Sequence, residues 1–125
     1  MGYEPGWHKI DGKWYYVNED REFVTGWNEI DSATYFFDEN GAMQTGWHEE
    51  SGNWYYFASS GAMVTGWRQI GRWYYFNESD TMKTGWLQLD GSWYYLDTDG
   101  AMVTGTKTIN GKEYRFNSSG VCLNP

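Results

Sequence analysis

The chain is short of the residues that build an ordinary protein core. Leu, Ile and Val are scarce among its 125 residues, although apolar residues make up 40% of them. Conventional interiors pack mostly aliphatic side chains at high density, and that solution is excluded here. Cys122 is the sole cysteine, so no disulfide can form within the chain. Basic residues number nine against seventeen acidic ones, for a net charge of −8. That balance argues against a nucleic-acid partner, because phosphate backbones select clusters of Lys and Arg. An acidic surface is compatible with a cationic ligand. No apolar stretch approaches the roughly 20 residues of a membrane span, so no membrane insertion is expected. No segment keeps a helical period over a useful length.

The sites of familiar chemistry are missing as well. His8 and His48 follow Gly-Trp in equivalent positions, but two lone histidines without a Cys or carboxylate cluster are poor metal ligands. Asp97-Thr98-Asp99-Gly100 faintly resembles a calcium loop and lacks the bidentate Glu at its twelfth position. No Ser-His-Asp or Cys-His set is suggested, and the many carboxylates fall in turns and loops. The expectation is a protein with no metal, no cofactor and no catalytic residue. Cys122 reads as a small apolar residue. No signal-peptide pattern opens the chain. Met1-Gly2 reads as an expression start, and the export signal is expected to belong to a larger parent.

What is abundant is aromatic. Nine Trp, eleven Tyr and six Phe make up 21% of the chain, and there are sixteen Gly but only two Pro. Aromatics must therefore supply most of the buried surface, and tight turns must be frequent. These residues repeat. Gly-Trp recurs at Gly6-Trp7, Gly26-Trp27, Gly46-Trp47, Gly66-Trp67 and Gly85-Trp86, and a degenerate sixth copy starts at Gly105-Thr106. The steps are 20, 20, 20, 19 and 20 residues, the short one losing a residue at Ile70-Gly71-Arg72. Trp14-Tyr15-Tyr16 aligns with Thr34-Tyr35-Phe36, Trp54-Tyr55-Tyr56, Trp73-Tyr74-Tyr75, Trp93-Tyr94-Tyr95 and Glu113-Tyr114-Arg115. A loop follows, with Met43, Met63, Met82 and Met102 at one position, Phe23 there in the first repeat and Cys122 in the last.

Trp7 to Ile10 and Lys13 to Val17 read as two short strands. Asp11-Gly12 between them is a strong hairpin signal, repeated at Asp90-Gly91 and Asn110-Gly111. A lone hairpin is barely stable in water, whereas stacked hairpins bury each other's aromatic faces. The expected fold is therefore all-β, a β-solenoid of about six stacked β-hairpins. After a lead-in over 1–5, a single repeat domain covers 6–125, as 6–25, 26–45, 46–65, 66–84, 85–104 and a capping repeat 105–125. Alternation puts Trp14 and Tyr16 on one face of the second strand and Tyr15 and Val17 on the other.

Each of four repeats offers two tryptophans that a hairpin brings close: Trp7 with Trp14, Trp47 with Trp54, Trp67 with Trp73, and Trp86 with Trp93. A quaternary ammonium has no hydrogen-bond donor and is held by π-faces arranged as a cage. The next hairpin can supply a third wall. One cation–π contact contributes roughly 0.5–2 kcal/mol, so such a cage reaches about millimolar to high-micromolar affinity. Several cages on one chain raise avidity for a polymer.

The pattern Gly-Trp, Asp-Gly, Trp-Tyr-Tyr, Gly-Ala-Met, Thr-Gly-Trp resembles the choline-binding repeat of pneumococcal surface proteins, autolysins and phage lysins, and it spans Gly6 to Pro125. The resemblance implies a solenoid of hairpins with choline between consecutive ones. Two tryptophans of one repeat and a Tyr of the next form each cage, often with a Met nearby. Carried over by position, Trp47 and Trp54 meet Tyr75, Trp67 and Trp73 meet Tyr95, and Trp7 and Trp14 meet Phe36. Trp27 and Tyr56 lack a second Trp, because Thr34 stands there, and form a weak or absent site. Trp86 and Trp93 face Arg115, which would repel a cation unless Tyr114 substitutes. Met43, Met63, Met82 and Met102 either close cages or fill the core.

The implied function is non-catalytic attachment to choline or phosphocholine on teichoic or lipoteichoic acid, outside a bacterial cell. A runner-up is a carbohydrate-binding repeat like those of streptococcal glucosyltransferases and clostridial toxins, which the last repeat, Thr108 to Tyr114, resembles. A third is a structural or self-associating module, with a homodimer possible.

Overall fold

A computed structural model describes residues Gly2 to Pro125. The chain is all-β, with six antiparallel hairpins and no helix among the described residues. Hairpin 1 joins β1 (Gly6–Ile10) to β2 (Lys13–Val17), and hairpin 2 joins β3 (Gly26–Ile30) to β4 (Ala33–Phe37). Hairpin 3 pairs β5 (Gly46–Glu50) with β6 (Asn53–Phe57), and hairpin 4 pairs β7 (Gly66–Ile70) with β8 (Arg72–Phe76). Hairpin 5 pairs β9 (Gly85–Leu89) with β10 (Ser92–Leu96), and hairpin 6 pairs β11 (Gly105–Ile109) with β12 (Lys112–Phe116). The chain forms two compact units, one ending at Val64 and the other running from Thr65 to Pro125.

The turns follow from residues that accept positive φ. Asp11 and Gly12 sit at +52° and +82°, and Asp90-Gly91 and Asn110-Gly111 behave alike. Two positive φ values in succession define the mirror-image turn whose twist matches the strands. Hairpin 2 makes the same turn without glycine: Asp31 is at +52° and Ser32 at +71°. A side chain in that region costs roughly 1–2 kcal/mol. Ser32→Gly is therefore expected to stabilise the chain by about 1 kcal/mol, read as a higher urea midpoint at unchanged slope. A lower midpoint would show that the Ser32 side chain supports the turn.

After each hairpin the chain reverses and returns alongside its own second strand. The Val24 N–H donates to Tyr16 O at 2.9 Å and the Gln44 N–H to Phe36 O at 2.8 Å. The same loop reaches back to the preceding hairpin. The Met43 N–H donates to Trp14 O at 2.8 Å, Met63 to Thr34 O at 2.9 Å, Met102 to Trp73 O at 2.8 Å, and Cys122 to Trp93 O at 2.7 Å. Backbone bonds thus couple neighbouring repeats within each unit.

Each repeat buries the last residue of its second strand: Val17, Phe37 and Phe57 in the first unit, and Phe76, Leu96 and Phe116 in the second. Each makes a bridge to the residue at the Met position, Phe37 to Met43 and Phe116 to Cys122 among them. Cys122 is buried with Ile109 and Phe116, and Trp86 and Trp93 pack against that cluster.

Candidate binding grooves

Strand register sorts the aromatics onto two faces. In hairpin 1, Trp7 lies opposite Tyr16 and Lys9 opposite Trp14, so Trp7, Trp14 and Tyr16 share a face. His8, Tyr15 and Val17 lie on the other. Trp7 and Trp14 meet edge to face, with centroids 6.3 Å apart at 83°. The other pairs repeat this geometry: Trp47–Trp54 at 6.0 Å, Trp67–Trp73 at 6.5 Å and Trp86–Trp93 at 6.0 Å, all within 10° of perpendicular. The shortened turn of hairpin 4 leaves the pair in place, because Gly71 alone spans it while Gln69 stays opposite Trp73.

The third ring differs from the expected one. Tyr35, not Phe36, stands 5.0 Å from Trp7. Tyr94, not Tyr95, stands 5.1 Å from Trp67. Tyr114 stands 4.8 Å from Trp86. Phe36 lies across the strand from Trp27, 5.1 Å away, Tyr56 from Trp47, Tyr75 from Trp67, and Tyr95 from Trp86. The reason is parity. Within each unit, one face of a hairpin meets the opposite face of the next, and that face carries the middle residue of the Trp-Tyr-Tyr triplet. The same rule removes Arg115 from the groove of Trp86 and Trp93. It pairs with Thr106 on the far face of hairpin 6.

Three open grooves result within the two units. The first is lined by Trp7, Trp14, Tyr35 and Met43, with Ser59 and Ser60 at its rim. The second is lined by Trp67, Trp73, Tyr94 and Met102, with Ser118 and Ser119 in the same rim positions. Each encloses about 380 Å³, above the roughly 300 Å³ lower bound of small-molecule sites. The third is lined by Trp86, Trp93, Tyr114 and Pro125. Met43 and Met102 thus line grooves. Met82 packs over Gly100 and Met63 bonds back to Thr34. Trp14 and Trp73 are each 40% exposed, unusual for side chains that gain so much from burial.

The surroundings of Trp27 are different. Thr34 replaces the second tryptophan, and the His48 ring lies 4.3 Å from Phe36 and 5.5 Å from Trp27, with Tyr55 5.0 Å from Trp27. The Trp27 indole N–H donates to both Glu50 oxygens at 3.2 and 3.1 Å, and His48 Nε2 donates to the same carboxylate at 3.1 Å. Those bonds, His48 first and Trp27 second, hold the Glu50 carboxyl below its usual range. The equivalent positions Ile10, Ile30, Ile70, Leu89 and Ile109 are all aliphatic. A side chain of the protein itself, tied to a carboxylate, therefore sits among these rings.

Comparison with known proteins agrees with this geometry. The family model described as a choline-binding repeat matches residues 24–66 and 64–106, and that of a putative cell wall binding repeat matches 6–20. A search of curated protein sequences finds no significant match. Among solved structures, CbpJ from Streptococcus pneumoniae TIGR4 is 40% identical with a TM-score of 0.93, over 96% of this chain and 42% of that one. Choline binding protein F of Streptococcus pneumoniae, solved with a peptidoglycan analogue, is 39% identical with a TM-score of 0.91, over 96% and 41%. The multimodular pneumococcal cell wall endolysin from phage Cp-1, solved with choline, is 29% identical with a TM-score of 0.69, over 100% and 39%. The chain spans about two fifths of the length of these proteins. With matched repeats over most of its length, close structural relatives and the paired tryptophans that the repeat pattern requires, the chain belongs to the choline-binding repeat family.

Proposed function

We propose that this chain is a binding module that holds choline in its aromatic grooves and attaches its parent to phosphocholine-bearing teichoic or lipoteichoic acids at a bacterial cell surface. Catalysis, where the parent has it, belongs to other segments. The observation that carries this reading is the recurring trio of Trp, perpendicular Trp and Tyr, open to solvent rather than packed away. Three π-faces around one space suit a cation that offers methyl groups and no N–H. The net charge of −8 adds a long-range attraction for cations.

The test is a choline titration followed by tryptophan fluorescence and by the melting temperature. Choline is expected to saturate in the millimolar range or tighter and to raise the melting temperature by mass action. Trp73→Ala removes one wall of one cage, a loss of roughly 0.5–2 kcal/mol or about 2- to 30-fold in that cage's affinity. Glucose oligomers run in parallel test the carbohydrate reading. A sugar response without a choline response would replace the proposal.

The groove at Trp27 is expected to stay empty, because His48 and Glu50 already occupy its rings. Thr34→Trp alone should leave the calorimetric stoichiometry unchanged. Thr34→Trp combined with His48→Asn and Glu50→Ile, the residues of hairpin 2 at those positions, should add one site. An extra site from Thr34→Trp alone would show that His48 is no obstacle.

A further inference from the structure

We propose that the polar pocket beside the Trp67–Trp73 cage receives a phosphate ester, so that this cage takes phosphocholine as two linked halves. The quaternary ammonium lies among the rings and the phosphate against Arg72 and Lys107. This inference rests on the choline reading above.

The pocket encloses about 280 Å³ and includes Arg72, Lys107, Thr104, Thr106, Asp97 and Met102 in its lining. Met102 is also a wall of the cage, so the two spaces lie on either side of one side chain. The pocket has a sequence cause. The first five repeats carry Trp at the position of Thr106. The terminal repeat replaces that ring with a hydroxyl side chain and puts Lys107 beside it.

Both cations have donors to spare. Arg72 Nη1 stands 3.8 Å from Asp99 Oδ2, too far for a hydrogen bond, and both side chains are largely exposed. Lys107 Nζ donates to Asp97 Oδ2 at 3.3 Å, and an ammonium has three donors. Asp97 is the opposing charge in the pocket. Its carboxylate already receives the Thr98 N–H at 2.9 Å as well as Lys107. A phosphate ester offers more acceptor oxygens than that carboxylate and engages Arg72 and Lys107 together. The choline nitrogen is tethered to its phosphate by two carbons, so a ligand anchored in the cage delivers the phosphate at high effective concentration.

The experiment follows resonances of the intact chain by NMR. The Trp73 indole N–H reports the cage, and the Thr104, Thr106 and Lys107 amides report the pocket. Choline should shift Trp73 and leave the pocket amides nearly still. Phosphocholine should shift both and bind this cage roughly 3- to 10-fold tighter than choline, an advantage that shrinks with salt. Arg72→Ala with Lys107→Ala should abolish the advantage without changing choline affinity, and Lys107→Arg should retain it. Inorganic phosphate, lacking the tether, should shift the pocket amides less than phosphocholine at equal concentration. Equal shifts would make this a plain anion site and overturn the linked mode. Equal affinity for choline and phosphocholine, with silent pocket amides, would overturn the inference and leave the choline reading standing. A Trp73 signal silent to both ligands would remove the reading on which it rests.

Discussion

Phe37→Ala will destabilise the chain by about 3–5 kcal/mol, the range for emptying a fully buried aromatic site. Phe37 is 1% exposed and ends β4. It bridges to Met43, and the Trp7 ring lies 5.8 Å away. Its neighbours are large rings and a hydrogen-bonded loop, which cannot collapse into the space as loose aliphatic chains do. Single domains have only about 5–15 kcal/mol in total, so the loss is a large share. The groove of Trp7, Trp14 and Tyr35 rests on this ring and should lose ligand even at temperatures where the variant stays folded. Urea denaturation measures the first effect and ligand titration the second. A loss below about 1 kcal/mol would mean that the site collapses easily, contrary to the packing described.

Gly61→Ala will cost about 2–5 kcal/mol, combining a left-handed backbone penalty with overpacking. Gly61 has φ of +89°, and a Cβ there would run into the Met43 sulfur and its neighbouring carbons. Gly100 with Met82 and Gly120 with Met102 repeat the arrangement, whereas Asp80 holds the equivalent position of the fourth repeat at φ of +77°. A double-mutant cycle separates the two causes. In a Met43→Ala background the steric part disappears and only the backbone part of roughly 1–2 kcal/mol should remain. An equal cost in both backgrounds would show that Met43 does not constrain the loop.

The hairpins were legible because their signals are local. The Gly-Trp period and turns such as Asp11-Gly12 each involve two residues and one backbone requirement. The tryptophan pairs were legible for a related reason: Trp7 and Trp14 sit on facing strands of a hairpin whose register the turn sets. The repeat resemblance points to Phe36 and Tyr95 as the third rings, whereas Tyr35 and Tyr94 stand beside Trp7 and Trp67 in the structure. The signal was present. Alternation already separates Tyr15 from Trp14, so a residue at Tyr35's position faces backward when Trp14 faces forward. The same alternation puts Arg115, paired with Thr106, on the face away from Trp86 and Trp93. The plug at Trp27 was readable only by comparing Glu50 with its aliphatic equivalents. The turn at Asp31-Ser32 gave no glycine to announce its conformation. The buried residue ending each second strand, Val17 in the first repeat and Phe116 in the last, is invisible to a search for tryptophans, since these positions hold the less conspicuous aromatics and aliphatics.

A choline-binding role requires the grooves to select positive charge, not merely greasy shape. The most direct measurement is a calorimetric comparison of choline with 3,3-dimethylbutan-1-ol, which replaces the nitrogen by carbon at almost the same size. Cation–π attraction from two or three rings predicts that choline binds at least about fivefold more tightly, with the heat of binding reduced in Trp73→Ala. Equal affinity for the two ligands would contradict the account and reduce the grooves to apolar clefts.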